Sequence, residues 1–285
     1  LAHGLHFLEG ARTNANARQT SRHLDRRFQS GHQNKTVASR ERRMKQKSNP
    51  LRLVQDVLRA AERDENAKHK RVASAGLTPQ MAALRAFQVE RIRATYRDFA
   101  AQAQYAPTLD FFTDDLYAAR DFSQRDHDAA RVHAFLKKFM PAEMLKLATD
   151  ALELTRLSYT LDEALLTTLT TELGFKKNLA TPLYAEAYRR SDNLRAREKQ
   201  IDLLVTVMQD SADTAHMPLT GVALKLAKGP AHTAGWHELY AFLERGHRAF
   251  AQVKHPERFL DAIQEREDRI MRRIMARDTN PFRLP

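Results

Sequence analysis

A chain of 285 residues without a single cysteine excludes disulfides, thiolate catalysis and cysteine-ligated zinc or iron–sulfur centres. Glycine is scarce (9) and proline modest (10), while long stretches are rich in Ala, Leu, Arg, Glu and Gln, so intrinsic propensity favours helix and the fold class reads as all-α. The net charge of +12 divides unevenly: residues 1–43 hold nine basic and three acidic side chains, against 38 and 32 in the rest, which leaves the body only mildly basic and argues against a nucleic-acid binder.

The first 43 residues contain no proline, few aliphatics and many Arg, Asn, Gln, Ser and His residues. Such a composition cannot bury enough apolar surface to offset the entropy of ordering, and a disordered basic tail is expected. It is Arg-rich and acid-poor in the manner of an organellar transit peptide. The plainer reading takes Met44 as the natural start, with a single all-helical domain over 44–285.

From Pro50 onward helix boundaries are legible. Leu51, Val54, Leu58 and Ala61 recur at helical spacing and predict a helix to about His69. Thr78-Pro79 places a cap residue before a first-turn proline. The helix that follows carries Met81, Leu84, Gln88, Ile92, Tyr96 and Phe99 on one stripe, with Arg85, Arg91, Arg93 and Arg97 opposite. Pro107-Thr108 opens an acidic aromatic helix, and Ser123 with Asp126 reads as a capping box behind a stapling Phe122. Pro141 starts a long Leu-rich helix ending near Gly174, whose wide apolar arc predicts the central, most buried element. Thr181-Pro182 begins a segment expected to break at Ser191-Asp192 and resume through Ile201 to Met208. A short helix is expected from Pro218 to Ala227, closed by Gly229-Pro230. Two more begin at Trp236 and after Pro256. The sum is about nine or ten helices in one compact bundle.

The densest chemistry lies between Asp110 and Asp126, where four aromatics and five carboxylates fall within seventeen residues. At 100° per residue Leu109, Phe112 and Leu116 share a core face, and Phe111 lands almost opposite, among Asp110, Asp114 and Asp115. Neighbouring like charges repel, so these acids need cationic company. Pairing with Arg93, Arg97, Arg120 or Arg125 is the simplest arrangement. Partner binding through Phe111 is a second, and metal binding a third that lacks the Glu-x-x-His pairs of di-iron helices. Trp236, Tyr240 and His247 form a separate stripe, with Gly246 allowing close approach. A histidine there could ligate haem, although a hydrogen-bonded core-edge imidazole suits the position equally. No Gly-rich phosphate loop, dinucleotide fingerprint or Gly-x-Ser-x-Gly elbow occurs. Arg189, Arg190, Arg195, Arg197 and Lys199 read as a solvated face balanced by nearby acids.

Phe111-Phe112-Thr113-Asp114-Asp115-Leu116-Tyr117, followed by Asp121-Phe122-Ser123-Gln124-Arg125-Asp126, resembles an uncharacterised bacterial family named for a Phe-Phe-Leu-Glu-Glu-Leu-Tyr (FFLEELY) motif. The runs around Leu226 to Ala231 and at 242–246 look similar as well. Thr113-Asp114-Asp115 replaces Leu-Glu-Glu here, and Ala118-Ala119 replaces Gly-Pro. The resemblance implies a bacterial origin and supplies no activity. The expectation is therefore a soluble, cytoplasmic, non-enzymatic interaction or scaffold protein using Asp110, Phe111, Phe112, Asp114, Asp115, Leu116, Tyr117, Asp121, Phe122, Ser123, Arg125 and Asp126. It carries no catalytic residue, cofactor, metal or membrane assignment, allows a protein partner, and leaves the oligomeric state open; the alternatives are a cofactor- or metal-binding helical enzyme using the acidic aromatic helix or His247, and a weak nucleic-acid binder through the basic tail.

Overall fold

A computed structural model of the chain describes residues 76–118, 121–137 and 142–283. The basic tail over 1–43 and the helix expected from Leu51 to about His69 lie outside these residues. Among the described residues there is no strand, and ten α-helices follow one another. They are α1 (Pro79–Thr95), α2 (Arg97–Ala100), α3 (Ala106–Phe111), α4 (Ser123–Leu136) and α5 (Ala142–Thr167), then α6 (Thr181–Arg190), α7 (Leu194–His216), α8 (Thr220–Thr233), α9 (His237–Phe250) and α10 (Pro256–Met275). Two π-helical segments prolong α3 over Phe112–Leu116 and α5 over Thr168–Glu172.

The starts follow local chemistry. Thr78 Oγ1 accepts from the Met81 amide at 3.1 Å with Pro79 in the first turn of α1. The break between α6 and α7 falls where expected, with Asp192 turned to φ 45°. Asp tolerates the left-handed region because its short polar side chain compensates locally. The end of α5 also agrees with the sequence: Gly174 takes φ 64°, and the Phe175 amide donates back to Leu169 O at 2.8 Å. The π segment before it coincides with a threonine run. Thr168, Thr170 and Thr171 donate their hydroxyls to the carbonyls of Ala164, Leu166 and Thr167, which loosens the ordinary helical ladder.

Three expectations are corrected. First, α8 does not close at Gly229-Pro230 but runs through both to Thr233. Pro230 has no N–H to offer the Leu226 carbonyl, a loss made tolerable because that turn faces solvent, with Leu226 51% exposed. Second, the Leu-rich α5 shares the centre with α7. The latter packs on α5, α8, α9 and α10, while α5 packs on α1, α4, α6 and α7 and buries Leu145, Leu161 and Leu165. Third, Arg85 lies buried and not on an outer face, its guanidinium 5.3 Å from the centre of the Tyr159 ring.

One core region gathers Tyr96, Phe99, Tyr105, Leu109, Phe111 and Phe112 against Met208 of α7, Phe250 of α9 and Phe259 of α10. A second holds Leu84, Leu165, Leu169 and Tyr184 against Ile270 and Ile274 of α10. Approach of α9 to α3 depends on Gly246, where a Cβ would stand 3.1 Å from the tip of the Phe111 ring. Gly246→Ala is therefore expected to destabilise the fold by about 1–3 kcal/mol in urea denaturation. The loss should be less than additive when Phe111 is shortened to Leu in the same chain.

Candidate functional site

The acidic aromatic segment folds inward. An uninterrupted α-helix would send Phe111 and Phe112 in directions about 100° apart. It does so here, and because Leu109, Phe111, Phe112, Thr113 and Asp115 are all buried, the helix and the π turn after it, closed by the Tyr117 amide on Phe112 O at 3.0 Å, are covered on both sides. Phe111 lies on the side of Asp110, Asp114 and Asp115, with which it lines one hollow, and α9 covers that side: its ring lies 5.1 Å from that of Phe242 and 6.3 Å from that of Phe250.

The carboxylates find different fates. Asp115 takes a bidentate grip from Arg245 of α9, with Nη2 at 2.6 Å and Nε at 3.0 Å from Oδ1. Asp114 meets Arg93 at 3.0 Å in solvent, where the pair contributes little. Asp110 is exposed, and its carboxylate has no hydrogen-bond partner among the described residues. Asp121, not Ser123, supplies the cap of α4: its Oδ1 accepts from the Ser123 amide at 2.8 Å and from the Ser123 hydroxyl at 2.6 Å. Asp126 consequently makes no capping box. It accepts from Arg125 Nε at 2.7 Å and from the Tyr159 hydroxyl at 2.5 Å.

Arg125 is the centre of this knot. Its guanidinium is buried 4.2 Å from the centre of the Phe122 ring and 4.6 Å from that of Phe242, and Nη1 donates to the Asp115 carbonyl. The planar fork thus ties the end of the π turn to α4 and α9 at once. Leu116 is half-buried beside this core, and Tyr117 turns toward a different cavity.

Trp236 and Tyr240 are buried with Leu239 and Ala231, and neither the indole nitrogen nor the phenol oxygen finds a hydrogen-bond partner. His247 packs against α8, where a Cβ on Gly221 would come within 3.2 Å of its ring. The glycine that admits His247 is therefore Gly221, and Gly246 serves Phe111. Among the described residues no three His, Asp or Glu side chains converge to hold a metal ion.

A polar cleft that sequence reasoning did not single out lies between α1, α5, α6, α7 and α10. It is lined by Gln88, Arg91, Tyr117, Asp162, Arg197 and Glu267, among others, and offers about 60 Å³ to the centres of water-sized molecules. Arg91 meets Glu267 at 2.5 Å, and the Tyr96 hydroxyl donates to the same carboxylate at 2.9 Å. Gln88 Nε2 donates to Asp162 Oδ1 at 2.8 Å, while Gln88 Oε1 is buried without any donor. Burial pushes the Asp162 carboxyl above its ordinary range, against the pull of the Gln88 hydrogen bond and the Arg197 charge. Burial likewise raises the Tyr117 phenol to about 12. Arg197, expected on a solvated face, is buried over the Tyr188 ring at 4.7 Å and donates to the Leu161 carbonyl at 3.2 Å. Elsewhere in that stretch Arg189 and Arg190 pair with Glu186 and Lys199 with Glu153, and Arg189 also donates to the Ile274 carbonyl at 2.9 Å.

Two signals in the sequence pointed here. Gln88 is a polar residue inside an apolar stripe, and Asp162 stands three and seven positions before Leu165 and Leu169, on their side of α5. Arg197 and Glu267 carry no such mark.

The model of a family described as a domain of unknown function (DUF8198) matches residues 67–281. No curated protein and no solved structure matches the chain.

Two outcomes test these arrangements. Arg125→Lys keeps the charge but loses the fork and both ring faces, and is expected to cost about 2 kcal/mol in chemical denaturation. Asp162→Asn tests the cleft. A carboxyl whose folded pKa is raised weakens the fold as pH climbs through the ordinary carboxylate range, because the unfolded chain releases that proton first. The variant should therefore melt above the wild type at pH 7, and the gap should close as pH falls below about 4.

Proposed function

We propose that this chain, which belongs to the DUF8198 family, is a non-enzymatic helical interaction protein that docks an amphipathic partner helix on α8. The observation that carries this reading is the exposure of α8 and its entry. Of the seven large apolar side chains exposed among the described residues, four (Met217, Leu219, Val222 and Leu226) lie here. A fifth, Leu243, belongs to α9, against which α8 packs. Leu219, Val222 and Leu226 follow one another at helical spacing, as a helix-in-groove contact requires.

Leu219 also holds φ 71° while 48% exposed. A branched side chain in the left-handed region costs about 1–2 kcal/mol, and burial within this chain does not repay it. Contiguous exposed apolar surface on a helix that other helices do not cover is the usual mark of an interaction face. The charge of α8 selects the occupant: Lys225 borders the stripe, Lys228 lies farther round the helix, and the helix has no acidic residue. An amphipathic helix with acidic flanks complements it.

The segment from Asp110 to Asp126 is an internal brace in this reading. A catalytic role for it, or for His247, has no converging side chains to support it. The likeness to the FFLEELY family and the absence of cysteine favour a bacterial cytoplasm as the setting.

A photo-crosslinking residue placed at Leu226 in the full chain tests the proposal. The expected product is a covalent adduct to a different protein, mapped by mass spectrometry to an acidic amphipathic helix. It should be lost in Lys225→Glu/Lys228→Glu and in Val222→Asp chains whose melting is unchanged. Adducts only to a second copy of this chain, or none, would overturn it.

A further inference from the structure

The cleft between α1, α5, α6, α7 and α10 contains more polar capacity than its own residues use. Of its four charged side chains, Arg91 and Glu267 satisfy each other at 2.5 Å, with the Tyr96 hydroxyl completing the pair. Two remain open. Asp162 is buried with Gln88 as its one hydrogen-bond donor, and Gln88 turns its own buried Oε1 toward no donor at all. Arg197 uses Nη2 on the Leu161 carbonyl and Nε on Asn193 at 3.4 Å, and its Nη1 makes no hydrogen bond. The hydroxyls of Tyr117, Tyr184 and Tyr188, which also line the cleft, make no hydrogen bond among the described residues.

An orphaned buried carbonyl and an undercompensated carboxylate are costly to leave in a helical core. They call for a donor, and a charged donor serves both. Arg197 and the phenols call for an acceptor. The remaining wall is Gln200, whose Nε2 donates to Ser158 Oγ at 2.8 Å, and the apolar Ile201, Ile270, Met271, Ile274 and Phe282. Water fills polar cavities with two to four partners per molecule but is poorly held along such a wall. The space of about 60 Å³ equals roughly four to six water positions, the size of a molecule of about that many heavy atoms.

We propose that this cleft binds a small zwitterion of the amino-acid class. Asp162 and Gln88 Oε1 take its ammonium, Arg197 and the tyrosine hydroxyls take its carboxylate, and the isoleucine wall takes a short aliphatic side chain. The cleft presents open acceptors and open donors together, so a zwitterion engages both sets where a simple cation or anion engages only one. The site is independent of the α8 face.

The test is calorimetric titration of the full chain with glycine, alanine, serine, valine and β-alanine, alongside ethylamine and propionate. At least one zwitterion should bind saturably, and at least tenfold more tightly than either singly charged analogue. Asp162→Asn, which is expected to fold, should weaken that binding at least tenfold. Tyr188→Phe removes a hydroxyl that bonds nothing in the protein, and should weaken binding severalfold without lowering the melting midpoint. Equal binding of ethylamine or propionate, full affinity in Asp162→Asn, or no binding of any zwitterion at 10 mM on the order used for weak sites would overturn the proposal. A crystal soaked in the best binder that shows only ordered water in the cleft would do the same.

Discussion

Burying Arg125 between the rings of Phe122 and Phe242 obliges the chain around it to supply an anion and a carbonyl acceptor. Asp126 meets the first demand at 2.7 Å from Nε. The second is met by the carbonyl of Asp115, inside the π turn that prolongs α3. Where a helix has lost its regular ladder its carbonyls point to other donors, and the guanidinium fork occupies one of them. The Asp115 side chain then holds Arg245 of α9, so one short segment couples α3, α4 and α9. Rings of Phe111, Phe112, Phe242 and Phe250 pack around this polar core and exclude water from it.

The two polar interiors of the protein differ in how completely they are answered. Around Arg125, carboxylate, carbonyl and both aromatic faces are engaged, which is the pattern of a structural brace. In the cleft at Asp162, one carbonyl lacks a donor, three phenols bond nothing, and the Arg197 fork is only partly used. Natural cores leave few buried polar groups unpaired, so the orphaned Gln88 Oε1 beside Asp162 marks a position where stability yields to another demand. The raised carboxyl of Asp162 is the electrostatic expression of the same incompleteness.

The exterior shows a parallel contrast. The last helix, α10, buries its apolar stripe of Phe259, Leu260, Ile263, Ile270 and Ile274 against neighbours and turns its charges outward. The described part of α8 buries only Ala231 fully, and leaves Val222 and Leu226 in solvent. Both helices are amphipathic, but one has spent its apolar face inside the bundle and the other has not.

Helix existence and many boundaries were legible in the amino-acid order, because caps, first-turn prolines and terminal glycines act within a few residues of themselves. Thr78-Pro79, the break at Ser191-Asp192 and Gly174 each appear where local chemistry puts them. The run through Gly229-Pro230 departs from that rule, since water can donate to the carbonyl the hydrogen bond that the proline cannot. The burial of Phe111 could only be suggested, because the periodicity of one helix does not show that α9 lies over the face Phe111 shares with the carboxylates. Arg197 and Glu267 were hidden for a deeper reason. A charged residue on a helix reads as solvated until the helix that covers it is known, and here the covering came from segments some 36 to 176 positions away in the chain. Sequence alone thus determined that the protein is a set of amphipathic helices. Only their packing decided which charges were taken out of water, because burial is a property of the neighbours and not of the residue.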